Sequence, residues 1–538
     1  MISSFSTFGG DIITIITRIN WGWKLVIQGG GMMCRQNDRS LTAVFVVLAF
    51  AASLLPGSSH AANLFLPYET HETGSCAEAV AIGDLDNDGL NDVVVATPGY
   101  GWDPDNDNRI HVFLQQESGE LAFSGKYGVA PAYSPFSVDI GDLNNDGKND
   151  VIVALNGNIG VFLQNDMGTL DPVVLYPTRL SSTRVRIGDF NNDGLDDVVS
   201  IDWGAQSHDV EVFLQNISGT LNPRVTYIVK HGGYDDLEVG DVNNDGLDDI
   251  IVMSGQGYDV DNLGILLQNT SGTMEGPFYY DLLIDENTSG VAVGDVNENG
   301  LQDVVVTYSY NIGVFFQNES GTLDPVVSYP SSGQPTPVEI GDVNWDGKND
   351  VLTAGGDVLE VHLQSDGELP TYELYPIPYN SLYKPHSLVI GDLNNDGSND
   401  VALASCGSGL TVLYANTSPA PDIKANGKDG LVTVRESQPV TITVSVEPHA
   451  SAGMLYDCWI GAKASSSLYW FTPPDVWVRS EVPVSAGSYE LFDLPPTPIL
   501  ERTLPRGSYR FFFILDGDPN GKLDDMTGKD FVDVTSTY

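Results

Sequence analysis

The sequence predicts an all-β fold: a seven-bladed β-propeller over residues 63–418, then an Ig-like β-sandwich over 423–538. Three observations carry this. A ten-residue acidic word recurs seven times, short β-branched runs flank the copies, and nothing between 63 and 418 keeps a helical period. The copies are GDLDNDGLND (83–92), GDLNNDGKND (141–150), GDFNNDGLDD (188–197), GDVNNDGLDD (240–249), GDVNENGLQD (294–303), GDVNWDGKND (341–350) and GDLNNDGSND (391–400). Their first aspartates stand 58, 47, 52, 54, 47 and 50 residues apart, and a period of that size marks a solenoid, propeller or array.

Each unit reads as four strands. A run such as AVAIGD leads into the loop, and an apolar run such as VVVA, VIVA or IIVM leaves it. Next comes VFLQQ (112–116), VFLQN (161–165 and 212–216), ILLQN (265–269), VFFQN (314–318), VHLQS (361–365) or VLYAN (412–416). A turn such as SGTL and a segment such as DPVVSYP (324–330) complete the unit. A ring is preferred to a stack of hairpins because it leaves only short, protected edges. The seventh unit lacks its last segment, and NLFLPYET (63–70) is expected to supply it from the other end of the chain.

The loops put like charges side by side, repelling by about 4 kcal/mol per pair at 4 Å and an effective dielectric near 20. Something must neutralise them. Read as D-x-[DN]-x-[DN]-G-x-x-D, each loop offers side-chain oxygens at positions 1, 3, 5 and 9 and a backbone carbonyl at position 7. Calcium takes roughly six to eight oxygens, and the glycine at position 6 permits the sharp turn. The candidate ligands of the first loop are Asp84, Asp86, Asp88, Leu90 and Asp92. The second offers Asp142, Asn144, Asp146, Lys148 and Asp150, the third Asp189, Asn191, Asp193, Leu195 and Asp197. The fourth offers Asp241, Asn243, Asp245, Leu247 and Asp249, the fifth Asp295, Asn297, Asn299, Leu301 and Asp303. The sixth offers Asp342, Asn344, Asp346, Lys348 and Asp350, the seventh Asp392, Asn394, Asp396, Ser398 and Asp400. An EF-hand is excluded, since position 12 is Val95, Val153, Ser200, Val252, Val306, Thr353 or Leu403 rather than Glu, and a strand follows. Turn-making alone accounts for one such loop but not for seven. Trp345, at position 4 of the sixth loop, is read as surface packing rather than a ligand contact.

These words resemble the FG-GAP/VCBS repeat family, whose members include the head of integrin α chains. The resemblance covers residues 63–418 and rests on DxDxDGxxD and DxNxDGxxD. It implies a seven-bladed propeller with a cation loop between the first two strands of each blade. The Phe-Gly and Gly-Ala-Pro words that name the FG-GAP pattern are not recognisable, which places the chain nearer the VCBS side. Integrin-like partner recognition is therefore not implied.

With 73 acidic and 24 basic residues the formal charge is −49, which argues against nucleic acid and anionic membrane surfaces as partners. Residues 1–61 read as an N-terminal extension and signal peptide, with Met32 or Met33 as the expected start. Arg35 and Arg39 precede the apolar run 41–55, and SHA (59–61) gives the cleavage pattern, so export to the periplasm, cell surface or medium is expected. No second hydrophobic span follows, and a monomer is expected. Of the mature cysteines, Cys76 and Cys406 fall in neighbouring units of a closed ring and are expected to pair, with free or buried thiols as the alternative and Cys458 as the third candidate.

After TSPAPD (417–422), read as a linker, LVTVRES (431–437), VTITVSV (440–446), SYRFFFIL (508–515) and FVDVTSTY (531–538) read as strands of the sandwich. Within its last hairpin, Asp516, Asp518, Asn520 and Asp524 repeat the oxygen spacing. They read either as an eighth calcium site or as an acidic turn.

No catalytic motif is present, so the chain is not read as an enzyme. His71, His208, His231 and His386 read as exposed loop histidines rather than a converging site. Tyr100, Trp102, Trp203, Tyr258, Tyr308 and Tyr310 are expected on the face opposite the loops, where aromatics stack on sugars, grip a peptide or pack on one another. The expected function is a non-enzymatic binding or adhesion scaffold for a glycan or extracellular protein; an extracellular polysaccharide lyase or hydrolase is the alternative. Ligand charge gives an order: the first loop, with four carboxylates, is expected to bind calcium most tightly and the fifth, with two, most weakly. Calcium titration of single-loop knockouts checks this, and early filling of the fifth loop contradicts it.

Overall fold

The glycine that opens each acidic word ends one strand, and the aspartate that closes it begins the next. Gly83 pairs with Asp92, Gly141 with Asp150, Gly188 with Asp197 and Gly240 with Asp249. Gly294 pairs with Asp303, Gly341 with Asp350 and Gly391 with Asp400. The computed structural model describes residues 64–537 apart from 100–106, 130–132, 204–208, 230–232, 257–262, 283–287, 380–384, 448–453, 465–466, 474–475, 481, 493 and 524–525. The signal-peptide and start-site expectations, and those for Tyr100, Trp102, His208, His231, Tyr258, Asp524 and the Trp203 side chain, lie outside the described residues.

Among the described residues the loops belong to seven four-stranded antiparallel sheets, consistent with a β-propeller. Sheet one is Ala79–Gly83, Asp92–Thr97, Arg109–Gln115 and Leu121–Gly128, and sheet two Ser137–Gly141, Asp150–Leu155, Asn158–Phe162 and Val174–Pro177. Sheet three is Ser181–Gly188, Asp197–Trp203, Asp209–Phe213 and Val225–Ile228, and sheet four Gly233–Gly240, Asp249–Gln256, Leu263–Asn269 and Thr273–Tyr280. Sheet five is Thr288–Gly294, Asp303–Tyr308, Asn311–Phe315 and Val327–Pro330, and sheet six Val338–Gly341, Asp350–Gly355, Val358–Ser365 and Glu368–Pro376. Sheet seven joins Leu388–Gly391, Asp400–Ser405 and Gly409–Leu413 to Glu69–His71 from the start of the described chain. Glu69 pairs with Val412, Thr70 with Thr411 and His71 with Leu410, and Phe65 bridges Ala415, as the missing last segment required.

The second strands explain why the sheets stack. Asp92–Thr97 and Asp150–Leu155 are buried at every residue, so both faces of these strands need a partner. Val94 and Ala96 pack with Val151 and Val153 of sheet two, while Val93 and Val95 pack with Ala402 and Leu410 of sheet seven. Each apolar core therefore lies between successive sheets. The Ile-Gly-Asp and Val-Gly-Asp words set the spacing: a Cβ on Gly83 would meet Ile140 Cγ2 at 2.7 Å, and one on Gly391 would meet Ile82 Cδ1 at 3.4 Å. The second of these contacts, between sheets seven and one, closes the cycle. Cys76 and Cys406 close it covalently with a disulfide spanning 330 residues of sequence. The Cys458 thiol is free and half-buried, and burial with neighbouring Asp457 pushes it up to about 12.

Beyond sheet seven, Ala420–Ala425, Pro439–Glu447 and Leu494–Thr503 form a three-stranded sheet. A seven-stranded sheet holds Gly430–Arg435, Met526–Thr537, Gly507–Asp516, Leu455–Ala464, Ser467–Thr472, Val476–Arg479 and Gly487–Glu490. Ile423, Val440 and Ile442 of the first share one core with Val432, Phe511 and Val532 of the second. The strand Ala420–Ala425 begins inside the stretch read as a linker, because Pro421 sits at a sheet edge opposite Val446, where no donor is required of it.

The ring's covalent closure has a measurable weight. Replacing Cys406 by Ser is expected to lower stability by about 2–4 kcal/mol, the usual range for a long-loop disulfide. Thermal melts of the oxidised protein and the variant check this; coincident melts contradict it.

Candidate metal centres

The seven loops share one hydrogen-bond plan, written by the sequence word. The first aspartate curls over its own loop: its Oδ2 accepts the N–H of the position-6 glycine at 2.8–2.9 Å in all seven, from Gly89 to Asp84 through Gly397 to Asp392. The N–H at position 7 donates to the side chain at position 5, as Leu90 does to Asp88 and Leu301 to Asn299. Position 4 adopts the left-handed conformation, with φ between 57° and 65°, which suits the Asn found in five loops. Trp345 takes the same conformation. It is half-buried where the other six position-4 residues are exposed, in keeping with a packing role.

Position 9 is different in kind. Asp92, Asp150, Asp197, Asp249, Asp303, Asp350 and Asp400 are fully buried. One oxygen accepts the N–H of position 2, as from Leu85 to Asp92 at 2.8 Å, and the other an N–H just past the third strand's apolar run, as from Gln115 to Asp92 at 2.8 Å. Burial pushes these carboxyls up, to about 7 for six of them and about 6 for Asp303, against the opposing pull of the two N–H donors. Asp86 and Asp88 raise Asp92 further.

The donor set fits a hard divalent cation. Carboxylate oxygens of Asp84, Asp86 and Asp88 lie within 4.8 Å of one another, and Asp92 is not in that group. In the second and fourth loops the position-3 oxygens, Asn144 Oδ1 and Asn243 Oδ1, are buried with no hydrogen-bond partner among the described residues, the state an inward-facing ligand oxygen would have. In the C-terminal region Lys522 N donates to Asn520 Oδ1, which repeats the position-7 to position-5 bond, whereas Asp516, at position 1, is fully buried where the seven first aspartates are half-buried. Gly521 N, however, turns to Asp457 Oδ2 at 2.7 Å rather than to Asp516. Asp457 faces Asp516 across the strand pair, and no spacing in the sequence pointed to it.

The seams between sheets hold a second plan that the sequence reading missed. The backbone carbonyl of every first aspartate accepts a side-chain amide from the next sheet. Gln164 donates to Asp84 at 3.5 Å, Gln215 to Asp142 at 2.9 Å, Gln268 to Asp189 at 2.7 Å and Gln317 to Asp241 at 3.0 Å. Asn349 donates to Asp295, Asn399 to Asp342 and, across the closure, Asn91 to Asp392 at 3.0 Å. The recurring Gln of the VFLQN word was the visible signal; its reach into the neighbouring loop was not.

The first strands bring together a further polar set. Ser137 Oγ lies 2.7 Å from His386 Nδ1, and His386 Nε2 lies 2.8 Å from Asp236 Oδ1. Arg186 donates to the same Nδ1 at 2.9 Å and to both oxygens of Glu238. Because arginine only donates, Nδ1 is an acceptor, and the close approach of Nε2 to Asp236 Oδ1 lacks hydrogen-bond geometry. The order Ser-His-Asp has the form of a nucleophilic relay, yet Ser137 is fully buried and His386 is 4% exposed, so the set is enclosed rather than open to solvent. His386 is thus not the exposed loop residue expected: residues from sheets two, three and four enclose it. Burial and the charges of Arg186 and Arg184 hold its pKa well below the usual histidine value. Glu339 is pushed up to about 8 by burial and by Glu238. His71 is half-buried against Phe113, Tyr308 is buried and bonded to Ser328, and Tyr310 is exposed.

Against known proteins, the FG-GAP-like repeat matches residues 84–153, 142–200, 189–252, 241–306, 295–353 and 342–403. These spans cover more than half of the chain, and the protein belongs to that repeat family. No curated protein matches it. Among solved structures, it is similar to an Agrocybe aegerita lectin described as recognising non-reducing terminal N-acetylglucosamine. The identity is 17% and the TM-score 0.41, over 56% of this chain and 81% of that one. It is also similar to BBS1N in its complex with ARL6DN, with 13% identity, TM-score 0.46, and 65% and 96% coverage. A third likeness is to the AfRom2 CNH domain, with 11% identity, TM-score 0.37, and 65% and 97% coverage. None of the three bears on what this chain binds.

The amide contacts predict an asymmetry among the glutamines. Gln268→Ala strands the carbonyls of Asp189 and Asp248 and is expected to destabilise by about 1–3 kcal/mol. Gln364, whose amide is buried without a partner among the described residues, is expected to tolerate alanine better. Urea unfolding of the two variants checks the difference; equal losses contradict it.

Proposed function

We propose that this protein is an exported, calcium-stabilised, seven-bladed β-propeller with a C-terminal Ig-like sandwich, acting as a non-enzymatic binding or adhesion scaffold for a glycan or an extracellular protein. The observation that carries the calcium reading is the repeated pairing of a buried position-9 carboxylate with an oxygen-rich turn, seven times in one ring. Twenty-one aspartates at candidate ligand positions need compensation, and seven Ca²⁺ would return fourteen positive charges. In that state the carboxylates and Asn oxygens of each loop hold the ion, which supplies charge neutralisation and cross-links the loop. The ion-binding loops and a rigid ring leave the connections on the opposite face free to vary, which is where scaffolds of this kind carry recognition. The apolar leader of residues 41–55 supports export, and extracellular calcium modules work near millimolar calcium. No helix among the described residues is long and apolar enough to cross a membrane.

Each ion that binds the folded loop alone adds about 2.7 kcal/mol at a hundredfold excess over its Kd. Chelation is therefore expected to lower the melting temperature by many degrees, and metal analysis in millimolar calcium to find about seven ions per chain, following the seven loops. Metal-free protein with an unchanged melt contradicts the reading. The recognition role is tested separately by a glycan and matrix-protein screen with calcium and with chelator, using Trp102→Ala and Trp203→Ala. Calcium-dependent binding without turnover is the expected outcome, and cleavage of a bound glycan contradicts it.

A further inference from the structure

We infer that six of the seven acidic loops are seam sites, the cation grip of each set by a glycine turn of the following sheet; this rests on the calcium reading above. The glycines are Gly119, Gly168, Gly219, Gly272, Gly321 and Gly367, all with φ between 67° and 83°. Each meets position 3 of the preceding sheet's loop, a proposed ligand residue. A Cβ on Gly219 would lie 2.5 Å from Asn144 O, on Gly272 3.0 Å from Asn191 O and on Gly321 2.4 Å from Asn243 O. On Gly119 it would lie 2.8 Å from Asn394 O, and on Gly168 2.9 Å from Asp86 Cβ. Gly367 fits more loosely, 3.6 Å from Asn297.

The turn is stiff enough to act as a seat. Asn269 Oδ1 accepts Ser271 N at 2.9 Å, and its Nδ2 donates to Thr273 and Glu275; Asn216 and Asn318 repeat the arrangement. The same sheet also sends the amide that holds the first aspartate's carbonyl. Positions 1 and 3 of one loop are therefore both fixed from the sheet that follows, and the coupling runs one way round the ring. The sixth loop is the exception. Sheet seven takes its last strand from Glu69–His71, and among the described residues of that sheet only the Asn399 amide reaches Asp342.

The test counts bound calcium per chain at about 1 mM, the range of extracellular modules. Gly321→Ala is expected to lose one ion, from the fourth loop rather than from the fifth loop of its own sheet. Adding Asp241→Ala to it then loses nothing more than Asp241→Ala alone, whereas adding Asp295→Ala loses a second ion. Gly157→Ala controls for backbone strain, since Gly157 has φ 78° and nothing within 4 Å of its Cβ position; it is expected to keep every ion. Gly272→Ala repeats the test on the third loop should the first variant not fold. A full ion count in Gly321→Ala, or a loss that merges with Asp295→Ala instead of Asp241→Ala, overturns the inference alone. A wild-type chain without calcium overturns the underlying calcium reading as well.

Discussion

The structure depends on a buried carboxylate that three strands share. In every sheet the position-9 aspartate opens the second strand, accepts an N–H from the loop that follows the first, and accepts another from beside the third. One side chain thereby fixes the hairpin and its neighbour at full burial. Two N–H donors do not offset the loss of water, so burial holds the carboxyl well above the usual carboxylate range. The acidic residues ahead of it add repulsion. A chain that repeats this seven times has built its framework on groups that call for a counter-charge.

Cohesion between sheets follows from the same economy of contacts. A lone four-stranded sheet of this kind exposes two apolar faces, and here each face is covered by an adjoining sheet. Over this packing lie the glycine-to-isoleucine approach, the amide to the aspartate carbonyl and the polar set around His386. Asp236 extends that last set to sheet five by accepting Val291 N. These contacts join neighbours around the cycle, and the His386 set crosses it.

Much of this was legible because it recurs. The loops, the four-strand unit, the borrowed closing strand and the Cys76–Cys406 pair all follow from a period and a missing piece. What stayed hidden lacks a period. Arg186, Glu238 and Glu339 occupy strand positions filled elsewhere by Ala81, Ala292 and Val389, so no word announces them. Asp457 belongs to a different strand from the loop it serves. The strand Leu494–Thr503 carries Pro495, Pro496 and Pro498, which mask it as a connection until its place at a sheet edge is seen.

The borrowed strand also orders events in time. Glu69–His71 leaves the ribosome before any of the sheets, yet its hydrogen-bonding partner, Gly409–Leu413, is made more than three hundred residues later. Throughout synthesis the nascent chain holds an unmatched edge at its front and an incomplete arc behind it. Contacts so distant in sequence form slowly. The wheel is thus completed only when its earliest and latest parts meet, and until then its two open ends are the places where a helper protein or a wrong partner gains entry.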